Sequence, residues 1–213
     1  SAATPILAQD LPKLTVYTYD AFAADWGPGP QIKAGFEATC NCTLDIVGVD
    51  SSIGALRRIQ IEGDTSPADI LLGLDTSVVG EARSTGLFAD HSIDTSQLTV
   101  PNNWASSDFV PFDYGYFAFV YRKADFPTPP KDFRDLVLRD SETKIVIQDP
   151  RSSTPGLGLA LWIKAAYGDE AADAWNDIAD HVVTMTPDWS SSYGLFLDGE
   201  ADMVLSYTTS PAY

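Results

Sequence analysis

Several things are scarce in this chain. Of 213 residues only two are cysteine and two are histidine. Both cysteines, Cys40 and Cys42, fall in "TCNCT", and a Cys-x-Cys pair cannot complete a zinc site without further ligands. His91 and His181 are far off in sequence and sit in polar stretches, where exposed imidazoles are expected. No Gly-x-Ser-x-Gly, no His-Glu-x-x-His and no glycine-rich phosphate loop ending in lysine occurs. Positive signs of catalysis are therefore absent. No apolar run is long enough to span a bilayer. Basic residues are few, 13 against 30 acids, a formal net charge of −17. That balance argues against nucleic acid and anionic membrane as partners. It keeps a protein soluble and would attract a cationic ligand.

What is present suits a globular protein, with 45% apolar and 11% aromatic residues. Residues 1–9, "SAATPILAQ", read as the remnant of a secretory signal or as spacer, so 1–12 are expected to be a flexible tail. Residues i and i+2 of an extended segment lie near the upper limit of disulfide spacing. A local Cys40–Cys42 disulfide and two unpaired thiols both fit.

The hydrophobic periodicity predicts strands over 13–19, 43–49 and 68–74, with helices over 31–39 and 51–63 between them. This is a β-α-β-α-β rhythm, which implies a mainly parallel α/β sheet. A long extended stretch, "DFVPFDYGYFAFVYRK" (108–123), reads as a crossover between two lobes. A second α/β series follows. Helices are expected over 130–138, 153–168, 169–180 and 190–200, and strands over 144–150, 181–186 and 201–209.

In parallel sheets ligands sit beyond the carboxyl ends of the strands. Tyr19, Asp20, Asp50, Ser51, Ser52 and Asp75 fall at such ends. "YTYDAFAADWGPGP" (17–30) places large rings, Trp26 among them, on a stiff loop at this edge. "STPGLGLA" lacks the third glycine of a dinucleotide fingerprint, since Leu161 stands there, and reads instead as a helix start. Ser153 or Thr154 is the expected cap, with Pro155 in the first turn. "DSSIG" (50–54) and "TTSPAY" (208–213) repeat this hydroxyl-rich form. Each is ordinary capping taken alone; together they suit phosphate or hydroxyl groups. Tyr19, Trp26, Trp189, Tyr193, Tyr207 and Tyr213 lie in or beside strand-end loops, and with nearby carboxylates they would form a cage for an organic cation.

"LTVYTYDAFAADWGPGP", "TGLF", "FVPFDYGYFAFVY", "QDPRSSTPGLGLALW", "YGLFLDGEADMVLSYTTSPAY" and the "CNC" pair closely resemble the periplasmic thiamine-binding proteins, the receptors of a bacterial thiamine ABC importer. The resemblance runs from about Leu14 to Tyr213. It implies a type II periplasmic binding protein fold with two hinged lobes, 13–111 and 112–213. It implies a periplasmic location, an ABC permease as partner, and thiamine, thiamine monophosphate or thiamine diphosphate as ligand, with no cofactor. The positions it marks for ligand are Tyr19, Trp26, Ser51, Ser52, Ser153, Thr154, Trp189, Tyr207, Thr208, Thr209, Ser210, Pro211 and Tyr213. Asp75 and Asp20 are the candidates to balance the cation. Chains of that family continue beyond "SPAY". The resemblance thus implies a missing return segment, an incomplete first lobe, and either a complementing fragment or self-association. An engineered or split half would show the same terminus. A thiaminase-like transferase is the alternative on this fold, but it needs a cysteine nucleophile, and Cys40 and Cys42 lie at the wrong end of the sheet.

Overall fold

"KLTVYTY" has the branched and aromatic residues that favour strand, and Lys13–Tyr19 forms β1. A computed structural model describes residues 11–101, 103–138 and 142–212. The chain divides into two compact units between Leu74 and Asp75. Residues 75–111, expected with the first lobe, group with the second unit.

In the first unit β1 is the middle strand of a parallel sheet, between β2 (Thr43–Val49) and β3 (Ile70–Leu71). Helices α1 (Asp20–Ala23), α2 (Gly29–Cys40) and α3 (Ser52–Glu62) connect the strands. Val16, Tyr17, Phe22, Leu44, Ile53, Leu56 and Ile59 are buried and make the core. The strand expected over 68–74 shrinks to two residues, and Ile70 is 44% exposed. It is the outer strand of the described sheet, and Gly73, at φ +109°, turns the chain away just beyond it. Asn41 ends α2 in the left-handed conformation, and Cys40 and Cys42 on either side of it form a disulfide with Cα atoms 5.2 Å apart. This resolves the alternative between paired and free thiols.

The second unit begins with α4 (Val79–Ser84) and a stretch without regular structure. That stretch is pinned by Arg83, whose guanidinium makes two 2.8 Å bonds to the Asp108 carboxylate. The pairing holds Asp108 well below the usual carboxylate range. The long strand expected over 108–123 is only β4 (Phe117–Tyr121). Pro111 has no N–H for a ladder, and Gly115 adds flexibility, so pairing begins past both. Then follow α5 (Phe133–Val137), β5 (Ile145–Gln148), α6 (Thr154–Tyr167), α7 (Ala171–Ala179), β6 (Val182–Thr186), α8 (Trp189–Leu197), β7 (Met203–Tyr207) and a 3-10 turn, Ser210–Ala212.

The strand order is β4-β7-β5-β6, with β4 alone antiparallel. Alternate residues face opposite sides. Ile145, Ile147, Met203 and Leu205 pack with Leu159 and Ile163 of α6 and Ile178 of α7. Val146 and Val204 pack with Phe196 of α8. His181 is buried rather than exposed; its Nδ1 lies 2.9 Å from the Thr143 carbonyl, which satisfies the ring in the interior. Among the described residues no helix is long and apolar enough to cross a membrane.

Candidate functional site

In the first unit the carboxyl ends of all three strands converge. A Cβ added to Gly73 would lie 2.6 Å from the Tyr19 ring and 3.0 Å from Ser52 Oγ. Gly73 therefore brings Tyr19 (β1), Ser52 (after β2) and its own loop (after β3) together, as the sequence order predicts. Ser51 caps α3, its Oγ accepting from Gly54 N at 2.9 Å. Asp20 is exposed, and its Oδ1 accepts from Ala21 N at 2.7 Å.

The stiff loop after β1 also has a reason. Gly27 and Gly29 press against the Phe22 carbonyl, where built Cβ atoms would fall 2.8 and 2.5 Å from its oxygen. The glycines let the loop fold onto α1 with Phe22 buried beneath it, while Trp26 stays 70% exposed. One ring anchors the loop and the other is held out.

In the second unit four segments meet at one edge of the sheet. Ser152, after β5, donates to the Pro187 carbonyl after β6 at 2.6 Å. Asp188 caps α8, accepting from Ser191 N at 2.7 Å, and so fixes Trp189 as the first helical residue. Trp189 stacks on Tyr193 with centroids 4.7 Å apart. Its indole N–H donates to Ser206 Oγ of β7 at 2.7 Å. Tyr207 packs on Phe117 at the start of β4, 5.3 Å between centroids. Thr208 N donates to the Tyr116 carbonyl at 2.9 Å. Thr208, Thr209 and Pro211 are exposed and Ser210 is buried. Tyr213 lies outside the described residues.

The α6 start differs in one respect from expectation. Ser153 is the N-cap residue, but neither its hydroxyl nor another side chain caps the helix. Thr154 Oγ1 is buried with no hydrogen-bond partner. The glycines of "STPGLG" serve close packing, with Gly156 on the end of β5 and Gly158 on the Phe117 ring. Nearby, Arg151 grips the Asp149 carboxylate and lowers its pKa to about 2. Asp75 Oδ1 accepts from Ser77 N at 2.6 Å, while Oδ2 is buried and has no partner. That is a fixed carboxylate with one acceptor still open.

Sequence reasoning missed the buried polar side chains beneath the rings. Gln148 donates to the Leu205 carbonyl at 3.0 Å and to Ser192 Oγ. The available signal was a polar residue closing an apolar strand, "IVIQ" in β5 and "VLSY" in β7.

The sequence pattern of bacterial extracellular solute-binding proteins matches residues 14–213. The chain belongs to that family. It is 53% identical to the thiamine-binding periplasmic protein of Escherichia coli (strain K12) over 209 residues, 98% of this chain and 63% of that protein. The Haemophilus influenzae protein of the same name is 43% identical, with 99% and 64% covered. The chain thus spans under two thirds of the length of these relatives. A solved periplasmic thiamin binding protein superposes with a TM-score of 0.94 at 51% identity, covering 100% of this chain and 67% of that one. Iron-bound HitA from Pseudomonas aeruginosa gives 0.68 at 22% identity, with 92% and 63% covered, a likeness of fold. The solute-binding chain has the type II periplasmic binding protein fold.

Proposed function

We propose that this chain binds thiamine and its mono- and diphosphate esters in the periplasm, without catalysis and without a cofactor, for delivery to an ABC permease. The observation that carries the reading is identity above half, over nearly the whole chain, with proteins named for thiamine binding. The chemistry of each unit supports it. Tyr19 and Trp26 in the first unit, and Trp189 and Tyr207 in the second, stand at or just past strand ends where flat cationic rings would find aromatic faces, while Tyr193 lies within α8 and stacks on Trp189. Asp75 Oδ2 is the acceptor left for a positively charged or amino group. Ser153, Thr154 and the backbone N–H groups of the α6 first turn suit a hydroxyl or phosphate end. The Cys40–Cys42 disulfide leaves neither sulfur as a thiolate, which removes the nucleophile a thiaminase-like reaction needs.

Calorimetric titration of thiamine into the protein tests the reading, with Trp189→Ala alongside. Binding should be measurable, and Trp189→Ala should weaken it by about 1–2 kcal/mol, the value of one desolvated ring–cation contact. Absence of any heat or tryptophan fluorescence change with all three thiamine compounds would overturn it.

A further inference from the structure

On the face of the sheet that packs α8, buried positions are apolar at Val146 and Val204 and become polar one pleat later, at Gln148 and Ser206. Ser206 is 0% exposed, so its hydroxyl must find partners inside the protein. It accepts the Trp189 indole N–H at 2.7 Å and shares a 2.6 Å hydrogen bond with Ser210 Oγ. Ser210 Oγ in turn accepts from Tyr207 N at 3.3 Å.

Counting protons in this chain leaves one over. The indole N–H and the Tyr207 N–H are each taken by a serine oxygen. One serine proton makes the Ser206–Ser210 bond. The other has no acceptor among the described residues. Ser206 is fully enclosed and Ser210 keeps 4% exposure, so the surplus proton is better placed on Ser210. With Ser206 donating to Ser210, the Ser210 hydroxyl proton is the one left without an acceptor among the described residues. Trp189 is meanwhile held at three points: its backbone by the Asp188 cap, its face by Tyr193 and its edge by Ser206.

We propose that Ser206 is a positioning residue: it fixes the plane of the Trp189 indole and directs the Ser210 hydroxyl proton onto an oxygen acceptor of the bound molecule. The group offered is a donor, so the acceptor is a hydroxyl or phosphate-ester oxygen and not an ammonium or amino group. The identity of that molecule rests on the thiamine reading above; the placement of the indole does not.

The test combines nuclear magnetic resonance of the indole N–H with calorimetry. The Trp189 resonance is assigned by its loss in Trp189→Phe. Ser206→Ala should shift it upfield and lower affinity for thiamine monophosphate about three- to tenfold, the effect of one net hydrogen bond. In a Trp189→Phe background, Ser206→Ala should cost less than in the wild type, because only its hold on Ser210 is left to lose. Ser210→Ala should lower affinity while the indole remains bonded to Ser206. An unmoved indole resonance in Ser206→Ala, or losses that add fully in the double variant, would overturn the proposal. A wild-type protein that binds no thiamine compound would overturn the thiamine reading instead, and the indole resonance would still decide the role of Ser206.

Discussion

Gly156→Ala and Gly194→Ala add the same methyl group to two helices of one unit and should move stability in opposite directions. Neither glycine has a positive φ, so backbone strain is not involved. A Cβ on Gly156 would overlap the Gln148 carbonyl oxygen and lie 2.7 Å from the Asp149 carbonyl carbon, where ordinary contact starts at 3.4 Å. Both atoms are backbone at the end of β5, so no rotamer change relieves the overlap and α6 must back away. Overpacking of this kind costs about 1–3 kcal/mol. Backbone atoms this close put the cost in the upper part of that range, about 2–3 kcal/mol, and alanine returns about 1 kcal/mol in helix propensity, for a net loss of about 1–2 kcal/mol. Gly194 in α8 has nothing within 4 Å of its built Cβ. Only the propensity gain applies there, about 0.5–1 kcal/mol. Urea unfolding followed by circular dichroism reads both. With a slope of about 2 kcal/mol/M, the midpoint should fall by about 0.5–1 M for Gly156→Ala and rise by about 0.3–0.5 M for Gly194→Ala. A Gly156→Ala midpoint at or above wild type would refute the packing argument.

Two further outcomes are expected. Replacing Ser153 and Thr154 together by alanine should reduce affinity for thiamine mono- and diphosphate more than for thiamine itself, as measured by calorimetry; equal losses would confine these residues to the helix start. Arg151→Ala should return the Asp149 pKa from about 2 towards the ordinary carboxylate value of about 3.9, followed by carbon resonance titration. Because the native pKa is depressed, the stabilisation it carries is present above about pH 3.9 and fades as pH falls towards about 2. The variant should lose most of that pH dependence, keeping the part due to the residue 151 backbone N–H that Asp149 Oδ1 accepts at 2.8 Å, and an unchanged titration would show that the Arg151 side chain does not hold the carboxylate.

The element order was legible because the apolar spacing is regular. β1 and β2 fall on the expected residues, and α6 begins where Pro155 and its preceding hydroxyls announce it. Departures occur where local composition competes with pairing. Residues 108–116 are as aromatic as a strand, but Pro111 and Gly115 leave only 117–121 in the ladder. His181 looks polar in sequence, yet the Thr143 carbonyl lets it stay inside. Strand-end placement of Tyr19, Ser52, Trp189 and Tyr207 followed from topology alone. The Trp189–Ser206–Ser210 chain did not, since nothing in a linear pattern says which buried hydroxyl meets which indole.

The antiparallel placement of β4 also bears on the order in which the molecule assembles. β4 pairs only with β7 among the described strands, and β7 is made roughly 85 residues later, a separation that slows closure of the contact. During synthesis Phe117 and Phe119 must therefore wait without a ladder partner while β5 and β6 join each other. The first unit needs no such delay, because β1, β2 and β3 follow one another within residues 13–71. Nascent chains of this protein should acquire protected amides in β1 and β2 well before any appear in β4.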